Sequence, residues 1–265
     1  TRLGVVSSLG GRTDDVVAQL TNREALRKAR VHPINLLAAH RTYSGGQSAR
    51  GSSSWSPVPK IIDALDDAFY KAFEFVEQAG KRTMLALDVS GSMGGATTAT
   101  GLNAREASAA LALVTMATEP ATMTVGFTGG SWGWGRSSFT QPVVDNLTPL
   151  NISPRQRLDD VIRSVSELPF GSTDCALPML YAAKKNLEVD TFGIYTDNET
   201  WAGSVHPYQA LKQYRAQSGI DAKVVVVGMT ATEFSIADPR DPGMLDVVGF
   251  DTAVPSLISQ FSRGL

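Results

Sequence analysis

The stretch Thr83–Val89, T-M-L-A-L-D-V, running on into Ser90-Gly91-Ser92-Met93, decides how the chain is read. It holds neither Pro nor Gly and is apolar except at Thr83 and Asp88, the length and continuity of a strand covered on both faces. Upstream, Ile62, Leu65, Phe69, Phe73 and Val76 recur every three or four residues, which is one face of a helix opened by Pro59 and stopped by Gly80. Downstream, Asn103 followed by Glu106 is a capping-box start for a helix to about Thr118. Thr122 to Phe127 reads as a strand, and Gly129 to Ser138 as a turn between two antiparallel strands. Ser153-Pro154, with Gln156, starts another helix, and Asp174 to Leu187 a further one. A strand over 191–196, a helix over 206–216, a strand over 222–227 and a helix over 254–261 complete the pattern. This alternation specifies the α/β class: a doubly wound, mostly parallel sheet with helices on both faces.

The residues before this body read differently. Residues 1–60 suggest short helices, with Thr13 or Thr21 as caps and His32-Pro33 opening the run Ile34, Leu36, Leu37. Residues 45–56 are a Gly/Ser-rich loop. So few short helices bury little surface alone, and we expect the end of a longer helical array. The domain division this implies is residual helices over 1–60 and the α/β body over 61–265. An opening Thr1 in place of Met points to a fragment or a processed form.

Composition limits the function. Of 265 residues, 43% are apolar and 19% charged, enough for a sizeable core and against disorder. The net charge is −2, which argues against a wholly basic nucleic-acid binder. The charge is uneven: residues 22–60 carry seven basic residues (Arg23, Arg27, Lys28, Arg30, Arg41, Arg50, Lys60) against Glu24 alone, whereas residues 61–265 carry 15 basic against 23 acidic. The basic block is either a solvated face or a surface that meets phosphate. A single cysteine, Cys175, permits no intramolecular disulfide and fits a reducing, cytoplasmic setting. No apolar run approaches the ~18 residues of a membrane span, so we expect no membrane partner.

In a doubly wound sheet, ligands bind beyond the carboxyl ends of the strands. Three loops there carry oxygen-bearing side chains: Asp88, Ser90 and Ser92 after the first strand; Thr173 and Asp174 before a helix; and Asp197 after the strand ending at Thr196. Asp88, Ser90, Ser92, Thr173 and Asp197 form an all-oxygen set suited to a hard divalent cation, Mg²⁺ first, with Mn²⁺ or Ca²⁺ as alternatives. Two carboxylates roughly neutralise the ion and hydroxyls add little donor strength. An open position would therefore favour an acidic oxygen from outside, a carboxylate or a phosphate. Each residue alone has a local alternative as a turn or cap residue, and Asp174 is read as a helix cap. Three separate caps, however, need not converge on one edge.

The set D-x-S-x-S, a later Thr and an Asp ending a later strand resembles the metal-ion-dependent adhesion site (MIDAS) of von Willebrand factor A domains. The resemblance implies a von Willebrand factor A, Rossmann-like body in which the serines and the threonine contact the metal and the aspartates often act through water. A wider resemblance spans about residues 20–262. KARVHPINLLAAHRTY, ALDDAFYKAF, GSTDCALPM, YTDNETWAG, SVHP and SIADPRDPGMLDVVGFDT are similar to the C-terminal part of the Ro autoantigen family, the TROVE-module proteins with bacterial Ro-like (Rsr) members. That family pairs a ring of HEAT-like helical repeats with a von Willebrand A domain. The resemblance implies a Ro ribonucleoprotein whose full-length form binds Y-type and misfolded non-coding RNA in RNA quality control, with non-coding RNA held by the ring and an RNA-processing nuclease as a further partner. Most of the ring is absent, and none of its RNA-binding residues is carried over. The Gly/Trp-rich loop 129–136, with Trp132 and Trp134, departs from the acidic or polar hairpin expected of the family.

Two other classes compete. A metal-dependent adhesion or adaptor domain would share the metal site without an RNA role. An enzyme lacks its frame: Ser90 stands where a haloacid-dehalogenase-type phosphotransferase needs a second Asp, and no G-x-S-x-G surrounds Ser90 or Ser92. His32, His40 and His206 have no metal-ligand spacing, and Cys175 at a helix start reads first as a small buried residue. We assign no catalytic residue and expect no enzyme.

Overall fold

The computed structural model of the chain describes residues 12–48, 51–95, 98, 102–128, 147–167, 171–197, 202–230, 236–250 and 253–265. The expected turn at 129–138, with Trp132 and Trp134, lies outside the described residues. The chain divides into two compact units, one within Thr1–Glu77 together with Leu102 and one within Gln78–Ala99 and Asn103–Leu265.

The first unit contains α1 (Thr13–Thr21), α2 (Arg23–Lys28), α3 (Pro33–Ser44) and α4 (Pro59–Lys71), the last continued by a 3₁₀ turn over Ala72–Phe75. The division therefore falls after Glu77 rather than after residue 60. The reason is the apolar face of α4, where Ile61, Ala64, Leu65, Ala68 and Phe69 are buried and the helix packs on α1 and α3. Ile61 is fully buried and Ile62 only half so, a shift of one position from the expected face; Leu65, Phe69 and Phe73 are buried as expected. Neither Thr13 nor Thr21 caps a helix. Asn22 caps α2, its side chain accepting from the Ala25 amide at 3.0 Å, while Thr21 Oγ1 turns back to the Val17 carbonyl at 2.9 Å. His32 caps α3 through Nδ1, 3.2 Å from the Ile34 amide. The Gly/Ser loop is anchored: Gln47 bridges Ser54, and Trp55 Nε1 donates to the Tyr43 carbonyl at 2.9 Å. Gly46 has φ +66°, and a Cβ there would lie 2.8 Å from the Trp55 carbonyl oxygen, so only glycine fits.

The second unit is built on a sheet whose six described strands run in the order β3-β2-β1-β4-β5-β6. They are β1 (Arg82–Asp88), β2 (Ala121–Phe127), β3 (Leu147–Pro149), β4 (Thr191–Thr196), β5 (Lys223–Gly228) and β6 (Met244–Val248). All neighbours pair in parallel except β2 with β3. β1 is interior, and its alternate residues bury on opposite faces. Met84 and Ala86 join Phe192, Ile194, Val224 and Val226 in the core against α8 (Leu177–Lys185) and α9 (Pro207–Ser218). The residues between them, such as Leu85 and Leu87, are also fully buried and belong to the opposite face, where α6 (Ala104–Thr118) contacts β1. Burying side chains of this size stabilises by roughly 1.5–3 kcal/mol each.

The remaining helical segments are a short turn of helix α5 (Ser92–Gly95), α7 (Leu158–Ser166) and α10 (Val254–Arg263). The Asn103–Glu106 capping box of α6 is present in both directions, at 2.8 and 3.0 Å. α7 starts at Leu158 and not at Pro154. Ser153 and Gln156 make reciprocal bonds around a turn instead, and the helix begins beyond it. α8 starts at Leu177 because Asp174 first closes a turn onto Ala176. The antiparallel partner expected for the strand ending at Phe127 is β3, whose bounds the sequence did not give, while the edge strand β6 went unrecognised in the sequence. No helix among the described residues is long and apolar enough to cross a membrane.

Candidate metal centre

Asp88 is the last residue of β1 and Thr196 the last of β4, so both stand at the carboxyl edge of the sheet's middle. Asp88 is completely buried. Its Oδ1 accepts from the Ser90 amide at 2.8 Å, which folds the chain into the turn that presents Ser90 and Ser92. Its Oδ2 accepts from Thr196 Oγ1 at 2.6 Å and from Thr173 Oγ1 at 3.2 Å. Burial, with the neighbouring Asp197 charge adding to it, pushes the Asp88 carboxyl up to about 6 against the pull of the Thr196 and Ser90 hydrogen bonds.

Ser90 and Ser92 lie with their Oγ atoms 3.1 Å apart, and Ser92 Oγ donates to Asp197 Oδ1 at 3.1 Å. A hydroxyl has one proton. That of Ser92 is committed to Asp197, and the Ser90 hydroxyl lies between Ser92 and the Asp88 carboxyl. Asp197 is nearly buried, and desolvation raises its carboxyl above the ordinary range. Thr230 Oγ1 donates to the Asp197 carbonyl at 2.8 Å and fixes the backbone there.

All five expected residues thus meet at one edge, linked from Thr173 through Asp88 and the Ser90–Ser92 turn to Asp197. The described hydroxyls spend their protons on carboxylates or on each other, leaving oxygen lone pairs for another partner. A buried carboxylate pair with hydroxyl oxygens around it fits a hard divalent cation. Asp174 is not joined to this network by any described hydrogen bond. Its Oδ1 accepts from the Ala176 amide at 3.0 Å, as a cap does, and burial raises its carboxyl to about 6. It packs against Gly203, which has φ +89°, and a Cβ there would lie 2.3 Å from Asp174 Oδ2. His206 caps α9 through Nδ1 with Gln209 reciprocating, and Cys175 lies buried in the core. Asn198 and Glu199, in the third loop, lie outside the described residues.

Two contributors were not assigned from sequence. Thr196 makes the shortest hydrogen bond to Asp88; its signal was its place immediately before Asp197 at a strand end. Arg105, in the first turn of α6, donates from Nη2 to the Ser90 carbonyl at 3.1 Å and interacts with the charges of Asp88 and Asp197. No sequence pattern pointed to it.

Residues 82–262 match a family described as the Ro60 vWA domain. The chain is 45% identical over 266 residues to a Deinococcus radiodurans protein named RNA-binding protein RO60, covering 99% of this chain and 47% of that one. It is also 45% identical over 254 residues to a Caenorhabditis elegans protein of the same name, covering 96% of this chain and 37% of that one. The chain thus spans about half or less of the length of these curated relatives. The crystal structure of Deinococcus radiodurans RO (RSR) protein matches with a TM-score of 0.84 at 45% identity, over 96% of this chain and 49% of that one.

Proposed function

This chain belongs to the Ro60 von Willebrand factor A domain family, and we propose that its α/β unit is the metal-ion-dependent ligand-binding part of a Ro-like RNA-binding protein. The observation that carries the metal reading is the convergence of Asp88, Ser90, Ser92, Thr173 and Asp197 through hydrogen bonds of 2.8–3.2 Å at one sheet edge. Ser90, Ser92 and Thr173 would offer hydroxyl lone pairs to the ion, while Asp88 and Asp197 would offset its charge and hold the hydroxyl protons. Mg²⁺ would supply an electrophilic position that takes a carboxylate or phosphate oxygen from a partner. Thr196 would keep Asp88 oriented, and the Asp88–Ser90 turn would keep the two serines on the same side.

The RNA part of the reading rests on the relatives. Both are named RNA-binding proteins, and both are about twice as long as this chain or longer. We assign binding of Y-type and misfolded non-coding RNA, in RNA quality control, to the full-length protein and mainly to its helical ring. The helices of residues 12–75 would be the last of that ring, and the cytoplasm its setting. The test pairs two measurements. Mn²⁺ titration followed by electron paramagnetic resonance should show one bound ion in the wild type and none in Asp88→Ala. RNA binding should be tight for the full-length protein and retained in its Asp88→Ala variant. Absence of Mn²⁺ binding in the wild type overturns the metal reading, and RNA binding lost with Asp88 overturns the separation of roles.

A further inference from the structure

Arg105 is 8% exposed, an unusual place for a guanidinium. It belongs to the first turn of α6, where the positive end of the helix dipole does not favour a cation. Its Nη2 donates to the Ser90 carbonyl at 3.1 Å, and its Nη1 lies 3.9 Å from where a Cβ on Gly94 would stand. The guanidinium is therefore set against the Ser90–Gly95 turn that presents the two serines, close enough to Asp88 and Asp197 to interact with both charges. Supporting the Ser90 carbonyl needs only a neutral donor. A permanent cation does something more to a site that would take a second one.

We infer that Arg105 is a built-in counter-charge that weakens the site's hold on a bare divalent cation and leaves the loaded site positive, so that an anionic ligand completes it; this rests on the metal-binding reading above. The two carboxylates and Arg105 sum to a formal −1. A divalent ion makes the site +1, and one carboxylate from a partner brings it to neutrality. Without Arg105 the loaded site is already neutral, and an incoming anion would make it negative. In a partly desolvated site such differences are felt strongly, because the charges are poorly screened. Arg105 thus couples the ion to the ligand: the metal is held weakly until an anion arrives, and the anion is drawn only once the metal is in place. The occupant it selects is a singly charged acidic group, such as an Asp or Glu side chain of a partner protein.

The test measures Mn²⁺ affinity by electron paramagnetic resonance, with and without acetate as the anion probe, in wild type, Arg105→Gln, Arg105→Met and Arg105→Lys, with metal-free melting temperatures alongside. The neutral variants should bind Mn²⁺ alone about tenfold more tightly or better, and acetate should no longer tighten it. Arg105→Lys should stay within about threefold of the wild type, since the charge is kept. Equal Mn²⁺ affinity in all four overturns the inference and leaves the metal reading intact. No Mn²⁺ binding in any of them overturns both. If neither neutral variant folds while Arg105→Lys does, Arg105 is a strut for the turn and the inference is overturned. Binding that appears only in the neutral variants supports it, with Arg105 holding the ion off until a ligand is present.

Discussion

Thr196 Oγ1 donates to Asp88 Oδ2 at 2.6 Å across 108 positions of sequence, one step beyond Leu87–Tyr195, the last paired residues of β1 and β4. Both side chains are completely buried. The parallel register of the two strands therefore orients the carboxylate from which the rest of the site hangs. Thr196→Val, nearly isosteric, would remove the donor and leave the carboxylate short of a partner. We expect a loss of about 1.5–3 kcal/mol in urea or thermal unfolding, the range for a hydrogen bond to a charged group. Thr196→Ser should recover most of it. An unchanged midpoint in Thr196→Val would show that Asp88 is held by the Ser90 turn alone.

The raised Asp88 carboxyl predicts a pH dependence for metal-free protein. Folded Asp88 keeps its proton up to about 6, whereas the unfolded chain releases it near 3.8. This contribution to stability is fully present below the unfolded value and is lost as pH rises through about 6. Asp174 acts in the same direction. Asp88→Asn should flatten the decline between about pH 4 and pH 7 in metal-free unfolding curves. Added Mg²⁺ should stabilise the wild type most above pH 6, where no proton competes for the carboxylate, and should do little for the variant. A stability that rises through this window in the wild type but not in Asp88→Asn contradicts the burial argument.

At the opposite end of the same strands, Asp190 sets the start of β1. Its Oδ2 accepts from the Arg82 amide and Nε, both at 2.9 Å, and its Oδ1 from Arg82 Nη2 at 2.6 Å. These hydrogen bonds, first of all from the Arg82 side chain, hold the Asp190 carboxyl below its ordinary range. The stability this gives is present above the unfolded carboxylate value near 4 and is lost as pH falls through the lower folded value. Asp190→Asn should therefore lose stability at neutral pH and show a shallower acid limb. Acid denaturation curves identical to wild type would count against the clamp.

Much of this architecture was legible in the sequence because it obeys local rules. T-M-L-A-L-D-V is buried on both faces and reads as such, and the Asn103–Glu106 capping box formed as its spacing specifies. The meeting of Asp88, Ser90 and Ser92 with Asp197 was readable because loops after parallel strands point to one edge, whereas Thr173, between α7 and α8, was readable only from the wider motif. β6 was not readable: Met244–Val248 follows two prolines, carries Asp246 in its middle, and pairs on one side only. Asp246 spends its carboxylate on the Ile236 and Ala237 amides at 3.0 and 3.1 Å, a role no periodicity reveals. Arg105 was hidden for a different reason. It looks like any charged residue in a first helical turn, and only the fold of the Ser90 turn over it makes it internal.

The chain alone should bind RNA weakly. Affinity for a nucleic-acid backbone comes largely from counterion release by several aligned cations. Arg27 and Lys28 are exposed on α2, but Arg30 lies past its end at φ +49°, and Arg23 pairs with Glu74. Arg23, Arg27, Lys28 and Arg30 thus form no continuous cationic row along one helix, and residues 61–265 are net acidic. Gel shifts at two salt concentrations should give only non-specific binding, with Kd about 10⁻⁴–10⁻⁶ M at physiological salt and a steep loss as salt rises. Tight, salt-resistant binding would mean that these residues read RNA themselves.

The most direct measurement locates the ion. Crystals of this chain grown or soaked with Mn²⁺ should show an anomalous scattering peak among Asp88, Ser90, Ser92, Thr173 and Asp197, with oxygens at ~2.0–2.6 Å directly or through one water. The same peak should be missing from Asp88→Ala crystals with the sheet unchanged. No peak at this edge at saturating Mn²⁺, or a peak held by other residues, would contradict the account.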